Sequence, residues 1–269
     1  MTDAVPLDVA LASRPTPARL GRPHRHLASV GSTQEALAEW AAAGAPPGAL
    51  VTADHQTAGR GRLGRGWHDE PGQDLALSLL LRPDGAADRL GLLPIAAGLA
   101  VGDAVAPYLG PTALKWPNDV LYGGAKLAGV LAETAWGSCA VAGAPRPTVR
   151  LGIGVNVNRQ RFGGALDRPA TSLALALGQP VGRADVLAAL LAALDARLAA
   201  LASDPGAILA DAEARLAGRG RAVAVAFPGT DAPPAEGTAV GLCPDGALRL
   251  ATADGERRVY AGEATVVAA

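Results

Sequence analysis

The chain has 269 residues, 49% of them hydrophobic, and its 24 Lys and Arg against 25 Asp and Glu give a formal charge of −1. That length and apolar content exclude a disordered chain and leave room for one large domain plus a small one. The near-neutral balance excludes a general nucleic-acid binder, whose phosphate contacts need a net basic face. Aromatics are only 3%, so the core must come mainly from Leu, Val and Ala. Cys139 and Cys243 show no CxxC spacing, which fits a reducing cytosol better than a disulfide framework or a zinc site. The N-terminus carries Asp3 and Asp8 and does not read as a signal peptide. No stretch reads as a membrane span, so the expectation is a cytoplasmic protein with no membrane partner.

Residues 1–24 contain Pro6, Pro15, Pro17 and Pro23 without periodicity and read as a mobile leader. A winged-helix DNA-binding module of about 60 residues does not fit there. Ser32 with Glu35 has the form of a capping box, predicting a helix over 33–43. Simple capping and a ligand role both remain open for Ser32 and Thr33. Residues 50–54 read as a short strand. The stretch HQTAGRGRLGRGW follows, with four glycines and three arginines within residues 59–67. Glycine allows close backbone approach to a ligand, and guanidinium forks suit carboxylate or phosphate. An anion-binding loop and a solvated basic loop are the alternatives.

The leucines at 75, 77, 79 and 81 then alternate as a half-buried strand. The loop therefore joins strand to strand. Gly59, Gly61 and Gly64 formally match GxGxxG, but that fingerprint needs a helix to open on its last glycine; the dinucleotide reading fails on context. There is no HRD, DFG, GKS or GKT sequence, so neither a kinase nor a P-loop is indicated. Residues 90–107 read as a buried helix. Lys115 and Trp116 end a strand, residues 117–119 turn, Val120 to Tyr122 resume, and Gly123-Gly124 signals a hairpin into a largely buried strand over 126–133. Lys126 in that strand is costly to bury without an anionic partner, which favours a ligand role. Asn118-Asp119 alone would be ordinary turn chemistry. VRLGIGVNVN, residues 149–158, reads as a strand with close backbone approach at Gly152 and Gly154 and a polar tip at Asn156. Helices follow over 184–201 and 207–217. From 219 the chain turns to five short strands, suggesting a small β-barrel.

Taken together, Gly-Ser-Thr-Gln at 31–34, Gln56 with GRGRLGRGW at 59–67, KWPNDV at 115–120, KLAGVLAE at 126–133 and GIGVNVN at 152–158 resemble the biotin protein ligase family, over roughly residues 27–269. The resemblance implies an α/β (α+β) fold: a mixed-sheet, class II synthetase-like catalytic domain over 25–218, then an SH3-like barrel over 219–269. It implies a two-step reaction in which biotin and ATP, with Mg²⁺, give biotinyl-5′-AMP and pyrophosphate. The biotinyl group then passes to one lysine of a biotin carboxyl carrier protein. By the same resemblance Ser32, Thr33, Gln34, Gln56, Arg60, Gly61, Arg62, Lys126 and Gly129 hold biotin. Arg62, Arg65, Trp67, Lys115, Asn118 and Asn156 hold the nucleotide, and Asp119 the metal. Arg60, Arg62 and Lys126 are the expected catalytic cations; for Trp67 a loop anchor stays open beside an adenine contact. Position 34 is Gln where the family often has Asn. A lipoyl or octanoyl ligase of the related fold and a non-enzymatic biotin-sensing repressor are the alternatives. Monomer and homodimer are equally compatible.

Overall fold

The computed structural model describes residues 6–17, 19–83, 87–136, 147–163 and 169–267; Cys139 lies outside them. Seven strands form the main sheet: β1 (His24–Leu27), β2 (Leu50–Ala53), β3 (Leu75–Leu81), β4 (Ala113–Lys115), β5 (Asp119–Tyr122), β6 (Ala125–Trp136) and β7 (Pro147–Val155). Their spatial order is β1-β2-β3-β7-β6-β5-β4. The β1–β2 pair is parallel and the others are antiparallel, so the sheet is mixed, as expected.

Helices cover both faces. On one side α2 (Thr33–Ala42) seals a small cluster in which Leu37, Val51 and Leu80 are buried. On the other, α3 (Leu93–Leu109) packs between the sheet and α5 (Arg183–Ser203), joining Leu75, Leu77 and Leu79 in the main core. This corrects the half-buried reading of β3, all seven of whose residues are buried. On the opposite face Ser78 meets Thr33 of α2 and Leu80 packs in the α2 cluster, so neither meets water.

Two further expectations change. Within the expected leader, Leu7–Ala12 forms α1, whose Leu7 and Leu11 are buried and which packs on α5; Arg14 adds a 2.6 Å ion pair to Asp185. Two helical stretches, Arg89–Leu109 and Arg183–Ser203, are long and apolar enough to cross a membrane, contrary to the sequence reading. Both contribute to the main core here, the ordinary reason for a helix that is apolar on most sides.

The helices α4 (Leu173–Leu177) and α6 (Pro205–Ala214) precede the C-terminal strands β8 (Ala222–Ala226), β9 (Ala235–Leu242), β10 (Leu248–Thr252), β11 (Gly255–Val259) and β12 (Glu263–Val266). These pair antiparallel in the order β11-β10-β9-β8-β12. The edge strands β11 and β12 are not joined, so the expected barrel is an open sheet. It is fixed to the larger body: Trp116 Nε1 donates to the Gly246 carbonyl at 2.9 Å, and Leu242 N donates to Glu213 Oε1 at 2.8 Å.

Candidate active site

Glycines make the floor of a cleft on the α2 side of the sheet. Gly129 on β6 and Gly154 on β7 are register partners, and Gly152 lies two residues back on the same face. A Cβ on Gly154 would overlap the Trp67 ring; one on Gly129 would sit 3.1 Å from Trp67 Cζ3, and one on Gly152 would sit 3.0 Å from Gln34 Cδ. Bare backbone on three adjacent positions is what lets an indole lie against the sheet. Trp67 thus anchors the end of its loop on β6 and β7, with Lys126 Nζ 5.5 Å from the ring centroid.

One wall is the start of α2. Ser32 caps the helix, its hydroxyl accepting from Gln34 N at 3.3 Å. Capping and cleft lining coexist, so the two readings of Ser32 are not exclusive. Thr33 N and Thr33 Oγ1 both donate to Gln56 Oε1, at 2.9 and 3.0 Å, and Ser78 Oγ donates to Thr33 Oγ1 at 2.9 Å. A backbone N–H can only donate, so the Gln56 amide is oriented with Nε2 as its outward donor. Gln56 is held from behind as well, its N–H donating to the buried Asp69 carboxylate at 3.0 Å.

The arginine loop closes the cleft. Its backbone folds on itself through Gly61 N to Arg65 O and Trp67 N to Gly59 O, both 2.8 Å. Its three arginines reach three different walls. Arg60 pairs with Glu133 on β6 at 3.0 Å, and more loosely with Glu35 at 3.5 Å. Arg62 makes long hydrogen bonds to Asn118 Oδ1 and to the Gly262 carbonyl, at 3.4 and 3.5 Å. Arg65 pairs with Glu263 of the C-terminal sheet at 2.5 Å. Burial holds the Arg62 guanidinium below its ordinary pKa, against the opposing pull of Glu263 and Asp119.

The fourth side is the turn between β4 and β5. Asn118 Nδ2 donates to the Val130 carbonyl at 2.6 Å, and the Trp116–Pro117 peptide is cis. Lys126 meets Asp119 at 2.7 Å, the anionic partner that its apolar strand demanded. With Asn156 set aside, every expected site residue lines this one cleft. Asn156 is not among the lining residues: its Nδ2 donates to the Lys126 and Thr171 carbonyls at 3.2 and 2.9 Å. It is 3% exposed, and through Nδ2 it ties β6 to the segment before α4.

Sequence reasoning missed Glu133, Asp69 and Glu263. Asp69 and Glu263 stand alone without a motif, Glu133 closes KLAGVLAE with nothing to mark its role, and only the arginine-rich loop hinted that carboxylates must face it. Asp74 was missed too. It is 2% exposed and accepts from Glu70 N, Val157 N and Arg159 Nε at 3.1, 3.2 and 2.9 Å, fastening the segment after the loop to the end of β7. Burial pushes its carboxyl up to about 6, against the pull of Arg159.

A magnesium ion bound by protein alone needs several oxygen ligands, whereas one carried on phosphates needs one or two carboxylates. Among the described residues no group of three His, Cys, Asp or Glu could hold a metal. Asp119 has one oxygen on Lys126. The described residues therefore fit a cation carried on phosphates, with Asp119 beside it.

Residues 27–144 match the Biotin/lipoate A/B protein ligase family, and residues 220–266 match the biotin protein ligase C terminal domain. The chain is 35% identical over 243 residues to the bifunctional ligase/repressor BirA of Bacillus spizizenii, covering 87% of this chain and 71% of that protein. It is 41% identical over 210 residues to the biotin–[acetyl-CoA-carboxylase] ligase of Mycobacterium tuberculosis, covering 76% and 74%. The structure superposes on the biotin protein ligase from Aquifex aeolicus, solved with biotin and ATP, with a TM-score of 0.77 at 30% identity over 92% of this chain and 100% of that one. With the glycine floor, the arginine loop and the C-terminal sheet all in place, this chain belongs to the biotin protein ligase family.

Proposed function

We propose that the protein is an ATP-dependent biotin protein ligase, which makes biotinyl-5′-AMP and passes the biotinyl group to a lysine of a biotin carboxyl carrier protein. The observation that carries the reading is the convergence, in one cleft, of a polar pocket at the start of α2 with Arg62 and Lys126. A neutral ring needs the first and an anionic reaction centre the second. In the first step a biotin carboxylate oxygen bonds to the α-phosphorus of ATP, and the bond from that phosphorus to pyrophosphate breaks. Anion approaches anion. At about 4 Å and an effective dielectric near 20 each such pair repels by roughly 4 kcal/mol, about a thousandfold in rate if uncompensated.

The chain's cations offset that repulsion unequally. Arg60 and Arg65 are paired with carboxylates, and Lys126 with Asp119. Arg62 hydrogen-bonds neutral carbonyl oxygens, so among the described residues its charge is the one in the loop with no directly bonded carboxylate. We assign Arg62 to the activated carboxylate and Lys126 to the phosphate beside it, where both fix geometry as well as charge. Gln56 Nε2 and the Ser32 hydroxyl serve the ureido group. Lys115 and Asn118 line the phosphate side, and Trp67, lying on the glycine floor, forms the surface for the adenine end. Magnesium, carried in on the phosphates, would neutralise them near Asp119. In the second step the carrier lysine's amine bonds to the acyl carbon, the carbon–oxygen bond to AMP breaks, and AMP leaves with that electron pair.

Incubation with biotin and Mg-ATP should release pyrophosphate without a carrier. Adding a carrier domain should then place one biotin mass on one lysine. Lipoate and octanoate run alongside biotin decide between the two branches of the matched family, and preferential use of either would overturn the reading.

A further inference from the structure

We propose that Glu133 is a positioning residue that fastens the arginine loop to the cleft floor through Arg60, with Gln34 and Arg150 holding its carboxylate in place. Before Trp67 the loop buries little. No residue from 57 to 67 is buried, and Leu63, its one aliphatic side chain of any size, is 49% exposed. Leu63 also sits at φ 57, a left-handed conformation unfavourable for a bulky side chain. Trp67 packs the end of the loop on the glycine floor, but before it apolar burial secures little, so side-chain order there depends on polar ties.

Among these ties the one at Arg60 is embedded in a network. Glu133 Oε1 meets Arg60 Nη2 at 3.0 Å. Glu133 Oε2 accepts from Gln34 Nε2 at 3.0 Å and from Arg150 Nη2 at 3.4 Å. Gln34 Nε2 also donates to the Arg150 carbonyl at 3.3 Å. Carboxylate and carbonyl are both acceptors, so the Gln34 amide has only one orientation that satisfies them. The Glu133 side chain is 21% exposed, against 57% for Glu35. A shared, largely covered carboxylate holds a guanidinium better than an isolated exposed one.

The length of the Gln34 side chain matters to this contact. An asparagine is shorter by one carbon–carbon bond, about 1.5 Å, which would open the 3.0 Å bond to Glu133. The longer side chain thus lets the start of α2 brace the residue that braces the loop. Arg60 becomes a tether, leaving Arg62 to meet the ligand; that last step rests on the ligase reading.

The test is limited trypsin digestion of the full-length protein without ligand, reading cleavage after Arg62 and Arg65 by mass spectrometry. Glu133→Gln keeps size and removes charge; it should speed cleavage there roughly tenfold, the worth of one charge-assisted hydrogen bond. Gln34→Asn should act in the same direction, less strongly. In a double-mutant cycle, Arg60→Gln combined with Glu133→Gln should be cut no faster than either single variant. Wild-type cleavage rates in Glu133→Gln, or strictly additive effects in the cycle, would overturn the proposal. If Glu133→Gln is cut throughout the chain and so misfolds, Gln34→Asn and Arg60→Gln decide the matter alone. In turnover, Glu133→Gln should release the adenylate faster while pyrophosphate formation is spared, a split that simple destabilisation does not produce. The digestion needs no substrate, so its failure overturns the role of Glu133, whereas wild-type protein that releases no pyrophosphate overturns the ligase reading.

Discussion

Arg62 differs from its two neighbours in the loop by what it touches, and that difference makes it the most informative residue to change. Its hydrogen bonds are long and go to neutral oxygens, so losing it should disturb the empty cleft little and the loaded one greatly. Arg62→Gly should still release pyrophosphate, but its adenylate should escape and biotinylate lysines on bystander proteins; a variant that stayed selective for the carrier would contradict its role in closure. His24 offers a different measurement. Its Nε2 and His26 Nδ1 both hydrogen-bond Thr52 Oγ1, at 2.8 and 2.9 Å, and burial lowers its pKa from 6.5 to about 4. A histidine whose folded pKa is depressed favours the neutral form, so its share of stability is present above 6.5 and drains away as pH falls toward 4. Asp74, raised to about 6, works in the opposite sense: its burial grows costly as pH rises from about 4 to 6. The two partly cancel in the wild type. His24→Asn should therefore gain stability relative to wild type on acidification from pH 6.5 to 4.5. The gain is at most about 1.4 kcal/mol per pH unit for one proton, read by urea unfolding at several pH values.

At the scale of elements, the loop and the start of α2 were legible because their chemistry is local. A cap, a glycine-arginine run and a strand on either side all lie within a few residues of each other. The KWPND turn and the lysine of β6 were legible for the same reason. What sequence could not show is which of two faces an alternating strand presents. The leucines of β3 suggested water on one side, whereas α2 occupies it. Asn156 looked like a polar tip beyond β7, whereas its amide turns to the Lys126 and Thr171 carbonyls. Helix α1 has only six residues, too few for periodicity to stand out among prolines. Glu133 was inside a quoted motif and still unnoticed, since nothing in KLAGVLAE shows that its last residue faces an arginine more than 70 positions earlier.

Over the whole molecule, the open C-terminal sheet matters less for its closure than for where it touches the site. It meets the loop at Glu263 and Gly262, and the β4–β5 turn at Gly246. The Arg65–Glu263 pair is partly exposed, with side chains 41% and 19% accessible. Pairs of that kind contribute up to about 1 kcal/mol, so Glu263→Arg should shorten adenylate retention by a few-fold, measured as release of labelled adenylate. Arg65→Glu combined with Glu263→Arg should restore much of it; no restoration would mean that the contact is incidental to holding the loop.

Because its three arginines end on β6, on the β4–β5 turn and on the C-terminal sheet, the loop closes fully over a ligand only when all three are correctly placed. A chain with an unfinished C-terminal sheet would lack one landing point, and one with a displaced turn would lack another. Either would hold its reactive intermediate badly. The lid thereby works as an inspection of assembly: the hazardous compound is kept only by a molecule that has finished folding.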